Sequence, residues 1–265
     1  MKSCATSSPN AAWACRGEDG REGPRGRSAP SAVTQGASPL REEIADHVLI
    51  LTIDRPEAAN AVNAAVHTAL GDAIARADAD PDVRVVILTG AGTRSFCAGA
   101  DLKAMASGVS IWPDDPVQRG RGFAGFTNHP ISKPVIAAVN GNAYGGGCEM
   151  VLACDLVVAV AHATFCLPEV RLGMIPAAGG ALRMPRRLPH NIAMEMLLTG
   201  EPIDAQEAHR RGMVNHVVEN GDLMAAAWRL ASRIACNAPL AVQAAKRGVG
   251  IARWRAGSRL RPVGT

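Results

Sequence analysis

An α/β fold is predicted for this 265-residue chain by two kinds of segment that alternate along it. Continuous apolar, β-branched runs at Val83–Thr89 (VRVVILT) and Lys133–Val139 (KPVIAAV) read as strands buried on both faces. Between and after them lie segments whose apolar residues recur at helical spacing, the pattern of strands packed under helices.

In chain order, order is expected to begin near Glu42. His47–Asp54 (HVLILTID) is a strand closed by Arg55-Pro56, and Asn60–Ala79 is a helix. After Val83–Thr89, residues 90–100 read as a loop. Residues 107–130, rich in Gly, Pro, Asp and Arg, read as mobile. Beyond Lys133–Val139, Asn140–Gly147 is a Gly-rich turn into a helix that ends near Ala153. Short strands follow at Asp155–Val160 and Thr164–Leu167, then helices at Ile192–Leu198, Ala205–Arg211 and Leu223–Cys236.

The bulk numbers remove several classes of function. The net charge of +4 belongs to the ends: residues 41–245 hold 17 Lys/Arg against 21 Asp/Glu. A mildly acidic body argues against a nucleic-acid-binding surface. No run of about 18 apolar residues exists, so no membrane span is expected. The seven cysteines contain no CxxC pair, which points to reduced thiols in a cytoplasmic protein and not to a disulfide framework or zinc site. The seven histidines have no metal-ligand spacing. Residues 1–40 lack an apolar signal core and are rich in Ser, Gly, Pro and Arg, so they read as a disordered extension. Residues 251–265 read as an atypical basic tail, leaving 41–250 as the domain.

Three features could carry chemistry. Ser95–Asp101 (SFCAGAD) joins a strand to a short helical stretch through small residues, which let a ligand approach the backbone. Gly145-Gly146-Gly147 opens a helix whose unpaired N–H groups suit an oxyanion; the spacing is neither a dinucleotide fingerprint nor a P-loop. Glu149 and Glu169 stand in apolar stretches, where carboxyl pKa values rise toward the range useful for proton transfer. Taken singly, each also has a structural reading: a tight connection, a close-packed corner, a helix cap or a buried ion pair.

Together the motifs resemble the crotonase (enoyl-CoA hydratase) superfamily. The matching segments are DRPEAANAVN (54–63), SFCAGADLKAM (95–105), KPVIAAVNGNAYGGGCE (133–149), ACDLVVA (153–159), LPEVRLGMIPAAGG (167–180) and LTGEPIDAQEAHRRGMVNHVV (198–218). The resemblance implies a spiral of repeated ββα units, assembled as homotrimers or hexamers. It implies an oxyanion hole from the amides of Ala100 and Gly146. It makes Glu149 the group that activates water and Glu169 the group that protonates C2. It lines the acyl-CoA site with Ala98, Ala100, Asp101, Leu102, Lys103 and Gly146. No metal or redox cofactor is implied, since CoA is part of the substrate.

The implied activity is hydration of a 2-enoyl-CoA thioester. An acyl-CoA dehydratase or isomerase reaction and a catalytically weak acyl-CoA-binding paralogue are the alternatives. Two departures stand out. Ala177 replaces a glycine of the family's IPGAGG segment, and Arg253–Thr265 (RWRAGSRLRPVGT) matches none of the family's C-terminal helices, so poor packing is expected after about Gly250.

Overall fold

The structure, a computed structural model, describes the backbone of residues 38–257 and the side chains of residues 38–249. The expected extension therefore lies outside the described residues up to residue 37, as does the end of the expected tail, residues 258–265.

Residues 38–40 already belong to the fold. Strand β1 (Leu40–Ala45) pairs antiparallel with β2 (Val48–Ile53), and Asp54 N donates to Pro39 O at 2.8 Å. β1 escapes sequence reading because only Leu40 of its six residues is buried, which leaves no alternation to detect. Helix α1 (Ala64–Ala79) follows, capped by the Asn63 side chain, which accepts from Val66 N at 3.0 Å. Its apolar stripe Val66, Leu70, Ala73, Ile74 and Ala77 faces the core.

Strands β3 (Val85–Gly90), β4 (Ser95–Cys97), β5 (Val135–Val139), β6 (Asn142–Tyr144), β7 (Leu156–Val160) and β8 (Thr164–Cys166) then form three successive pairs. The first member of each pair enters a six-stranded sheet ordered β1-β2-β3-β5-β7-β10, where β10 is His216–Val218. The second enters a four-stranded sheet ordered β4-β6-β8-β9, where β9 is Ile203–Asp204. Neighbours within each series run parallel. This repeated two-sheet step, with helices between turns, is the expected ββα spiral. All of β3 and β5 is buried, as their unbroken apolar composition requires.

The spiral fixes where function can reside. Because β4, β6 and β8 are parallel neighbours, the segments leaving their C-terminal ends emerge side by side. Those segments start at Ala98, Gly145 and Leu167.

Helices α2 (Leu102–Ala106), α3 (Pro116–Gly120), α4 (Gly146–Ala153), α5 (Gly180–Arg183), α6 (His190–Thr199), α7 (Ala205–Arg210), α8 (Leu223–Ala235) and α9 (Pro239–Gly257) complete the described chain. α9 carries helical backbone past Gly250, the expected limit of the domain.

Two other expectations are corrected. The segments 90–100 and 140–147 are not loops throughout, for they contain β4 and β6, each too short to show a period. The segment 107–130 is packed: Ile111, Phe123, Ala124 and Phe126 are buried, and Gly125 lies so close to α1 that a Cβ there would sit 2.7 Å from Gly71 Cα. Asp72 anchors it further by accepting from Gln118 Nε2 at 2.6 Å and Arg121 Nη1 at 2.9 Å. Its composition resembles a loop, but Ile111, Phe123 and Phe126 point inward while Val109, Trp112 and Val117 stay exposed.

Buried Asn60 and Asn140 secure the β3–β4 connection. Asn60 Nδ2 donates to Ala91 O (3.0 Å) and Ser95 O (2.7 Å), while its Oδ1 accepts from Arg55 N (3.0 Å). Asn140 Oδ1 accepts from Gly90 N (3.1 Å) and its Nδ2 donates to Gly92 O (2.8 Å). Replacing Asn60 by Ala orphans the Ala91 carbonyl and the Arg55 amide, while Ser95 O keeps Asn140 Nδ2 at 3.1 Å. We expect a loss of about 3 kcal/mol, read as a lower denaturant midpoint at unchanged slope.

Candidate active site

The site is built by close backbone approach at the ends of β4 and β6. Gly99 (φ +91°) lies against the start of α4: a Cβ on it would be 3.0 Å from both Gly146 N and Tyr144 O. A Cβ on Gly147 would be 2.0 Å from Cys97 O, and one on Gly146 would be 2.4 Å from the Phe123 ring. Gly145 has φ +53°. The three consecutive glycines thus serve two needs, a positive φ at the first and room for a strand end and an aromatic ring at the next two.

Two amides singled out from sequence belong to residues at this approach, Ala100 next to Gly99 and Gly146 itself. Gly99 N approaches Cys97 Sγ at 3.4 Å, Asp101 N donates to Val62 O at 2.9 Å, and Gly145 N donates to Cys166 O at 2.9 Å. Ala100 N and Gly146 N, lying among them, have no acceptor within the described residues. Gly146 is the first residue of α4, so its N–H has no carbonyl one turn back and sits at the positive end of the helix.

Both carboxyl groups border the same region. Glu149, in the first turn of α4, is 3% exposed. Its Oε1 accepts from Gly180 N at 2.8 Å, and the Ala178 amide also bonds to it. Burial pushes its pKa above the ordinary carboxylate range and the charge of Glu169 adds to this, whereas the two amides and Arg183 oppose it. Glu169, just beyond β8, is half-buried, with Oε1 3.4 Å from where a Gly145 Cβ would stand. Its Oε2 is buried without a partner, and burial raises its pKa too. Cys97 and Cys148 are buried next to this region. Burial lifts the Cys97 thiol to about 12 and the Cys148 thiol well up, so both stay protonated and neither is a nucleophile.

The remaining sequence-predicted residues line the outer end. Ala98, Leu102 and Lys103 are exposed, and Ala100 and Asp101 are half-buried. The Asp101 carboxylate faces inward to a structural task. It caps α2 by accepting from Ala104 N (3.1 Å) and pairs with both Arg55 terminal nitrogens (3.0 Å each), partners that hold its pKa down. Only its backbone remains to line the site.

Sequence reading missed two residues here. Phe123 packs its ring beneath Gly146, from a segment expected to be mobile. Arg183 of α5 donates to Ala178 O at 2.8 Å and to Thr127 O, and its charge faces Glu149. Neither had a sequence signal, because each depends on a contact between distant segments.

Residues 43–254 match the sequence model of the family described as Enoyl-CoA hydratase/isomerase. The chain belongs to this family, within the crotonase superfamily. A carnitinyl-CoA dehydratase from Proteus mirabilis is 50% identical over 200 residues, 75% of each chain. Among solved structures, a carnitinyl-CoA dehydratase from Mycobacterium avium 104 is 54% identical (TM-score 0.78), covering 80% of this chain and 82% of that one. An enoyl-CoA hydratase from Mycobacterium tuberculosis H37Rv is 44% identical (TM-score 0.77), with 85% of each chain covered. The crotonase fold thus rests on sequence and on geometry alike.

The raised carboxyl pKa values have a consequence for stability. An acid whose pKa is higher folded than unfolded holds its proton longer in the folded state. The fold is then favoured below the ordinary carboxylate range and loses that advantage as pH rises through the folded pKa. Glu149→Gln and Glu169→Gln should therefore raise the thermal midpoint at pH 7. The difference should close as pH falls through the ordinary carboxylate range, as differential scanning calorimetry across pH would show.

Proposed function

We propose that this enzyme is a hydro-lyase that reversibly adds water across the 2,3 double bond of a 2-enoyl-CoA thioester. The observation that carries this reading is the pair of pKa-raised carboxyl groups, Glu149 buried and Glu169 half-buried, beside two unpaired amides at one end of three parallel strands.

In the proposed mechanism the thioester carbonyl accepts from Ala100 N and Gly146 N. Their fixed dipoles favour the enolate that develops when C3 is attacked. Glu149 takes a proton from the attacking water and Glu169 gives one to C2. The reverse sequence eliminates water. Hydration needs one carboxylate and one carboxylic acid, and the surroundings divide those roles. Two amides and Arg183 favour the ionised form of Glu149, whereas the unpartnered Oε2 of Glu169 favours the neutral form. The exposed stretch Ala98–Lys103 would guide the CoA portion, with Lys103 as a cation for its phosphates.

A second reading concerns the acyl group. Several relatives are named carnitinyl-CoA dehydratase, and a carnitinyl group ends in a quaternary ammonium. Trp112, 39% exposed, meets Phe123 edge-on (ring centroids 6.5 Å apart), and Phe123 underlies Gly146. Such aromatic faces attract a cation. The chemistry is the same, run toward elimination.

Loss of the conjugated-thioester absorbance on adding crotonyl-CoA tests the first reading, and its appearance from carnitinyl-CoA tests the second. Glu149→Gln and Glu169→Gln should each lower kcat by about 10²-fold or more while thioester binding persists. Near-parental turnover in either folded variant would overturn the assignment, and binding without turnover in the parent would leave an acyl-CoA-binding protein. Phe123 leaves no room for a side chain at Gly146, so the amides are better tested without mutation. The carbonyl stretch of a bound thioester should move to lower frequency in infrared difference spectra.

The same reading has the chain assemble as homotrimers or hexamers. Leu172, Met174, Ile175 (74% exposed) and Leu182 flank the Glu169 segment and α5 as exposed apolar residues. Exposed apolar surface of this kind is what a neighbouring subunit covers. Light scattering should give a mass of three or six chains; a monomer at micromolar concentration would overturn this.

A further inference from the structure

We propose that Arg183 is a positioning residue of the hydration site, pinning the segment that holds Glu149 and supplying a positive charge that faces it. The proposal rests on the assignment of Glu149 to water activation.

The geometry is that of a two-armed clamp. One guanidinium nitrogen, Nη1, donates to Ala178 O at 2.8 Å. The other, Nη2, donates to Thr127 O and reaches Asn128 Oδ1 at 3.4 Å. The first arm holds the 176–180 segment, whose Ala178 and Gly180 amides bond Glu149. The second ties that segment to residues 127–128, directly after the Phe123–Phe126 stretch that supports Gly146. One side chain therefore spans the supports of the proposed base and of the proposed oxyanion site. A planar guanidinium has the fixed fork for two such arms, which a lysine lacks.

The backbone has been shaped to admit this clamp. Gly179 has φ +103°, and a Cβ there would stand 2.0 Å from Arg183 Nη1. Gly180 is equally confined, because a Cβ on it would lie 3.0 Å from Glu149 Cγ, Glu149 Oε1 and Pro176 Cβ. The Gly179-Gly180 pair thus makes room for the guanidinium on one side and for the Glu149 carboxyl on the other. The N-cap residue of α5, Gly179, has no side chain to offer, so the entry of this four-residue helix is held by Glu149 Oε1 on Gly180 N (2.8 Å) and by Arg183 on Ala178 O (2.8 Å).

The electrostatic role follows from who faces Glu149. The titratable or charged groups around it are Glu169 from the segment after β8, Cys148 beside it on α4, and Arg183 from α5. Burial and Glu169 both favour the neutral acid. Arg183, itself half-buried and with its own pKa lowered by burial, acts the other way together with the two amides. Water activation needs the ionised form, so the acid limb of the pH profile should depend on this charge.

Two variants separate clamp from charge. Arg183→Met removes both; the acid limb of kcat/KM for hydration should move up by about one pH unit, and kcat should fall about tenfold through misplacement of Glu149. Arg183→Lys keeps the charge without the fork. It should retain the parental acid limb while kcat still falls with little change in KM. A folded Arg183→Met enzyme with the parental acid limb would overturn the proposal, as would Arg183→Lys with parental kcat. Should the Met variant not fold, the Lys variant alone decides. The Glu149 carboxyl band in infrared spectra, identified by its loss in Glu149→Gln, reads the same shift without turnover. If Glu149→Gln itself hydrates substrate at the parental rate, it is the assignment of Glu149 that fails, and the infrared shift still tests the contact with Arg183.

Discussion

The close approach of the start of α4 to the end of β4 is the constraint on which the rest of the site depends. Gly99 and Gly147 admit it, and any side chain at either position would collide with backbone atoms of the partner element. Once this contact is made, Gly99, next to Ala100 in the chain, lies against Gly146 N, and Glu149 is carried inward by the first turn of the helix. The parallel order β4-β6-β8 then delivers Glu169 from the next strand over. Four separate polar groups are positioned by one packing decision, so a local change there would disturb all of them together.

The electrostatics follow from that packing. Two carboxyl groups are drawn into a region with few charges, and burial alone would make both neutral. The environments are then made unequal. Amides from the glycine-rich start of α5, and the Arg183 guanidinium, favour an ionised Glu149; nothing comparable reaches Glu169 Oε2. A pair of acids divided in this way suits a reaction that moves one proton off water and another onto carbon. The buried thiols nearby are held protonated and do not compete.

Support for the site comes from parts of the chain that look unremarkable in composition. The segment 107–130 reads as a polar loop, yet it brings Phe123 beneath Gly146 and Trp112 against Phe123. Asp101 reads as a residue for ligand contact, yet its carboxylate is spent on the α2 cap and on Arg55. In both cases the local residue types were compatible with two outcomes, and a partner outside the local pattern, Gly146 for Phe123 and Arg55 for Asp101, selected one.

By itself the sequence determined the α/β class, the long buried strands, the three helices between residues 190 and 236, and the positions of Glu149, Glu169 and the Gly-rich turn. Those features are written in local pattern: unbroken β-branched runs, 3.6-residue spacing, acids in apolar stretches and consecutive glycines. The three-residue strands β4 and β6 left too few residues to show a period, and β1, with one buried residue, had no alternation to show, so only sheet pairing reveals them. The tertiary structure alone decided that the Gly99 backbone packs against the start of α4 and that the two carboxyl groups are electrostatically distinct. It also decided that Arg183 joins α5 to residues 127–128. Each of these is a contact between segments far apart in the chain, set by how the two sheets stack, and no local pattern encodes which distant atom will lie within hydrogen-bonding reach.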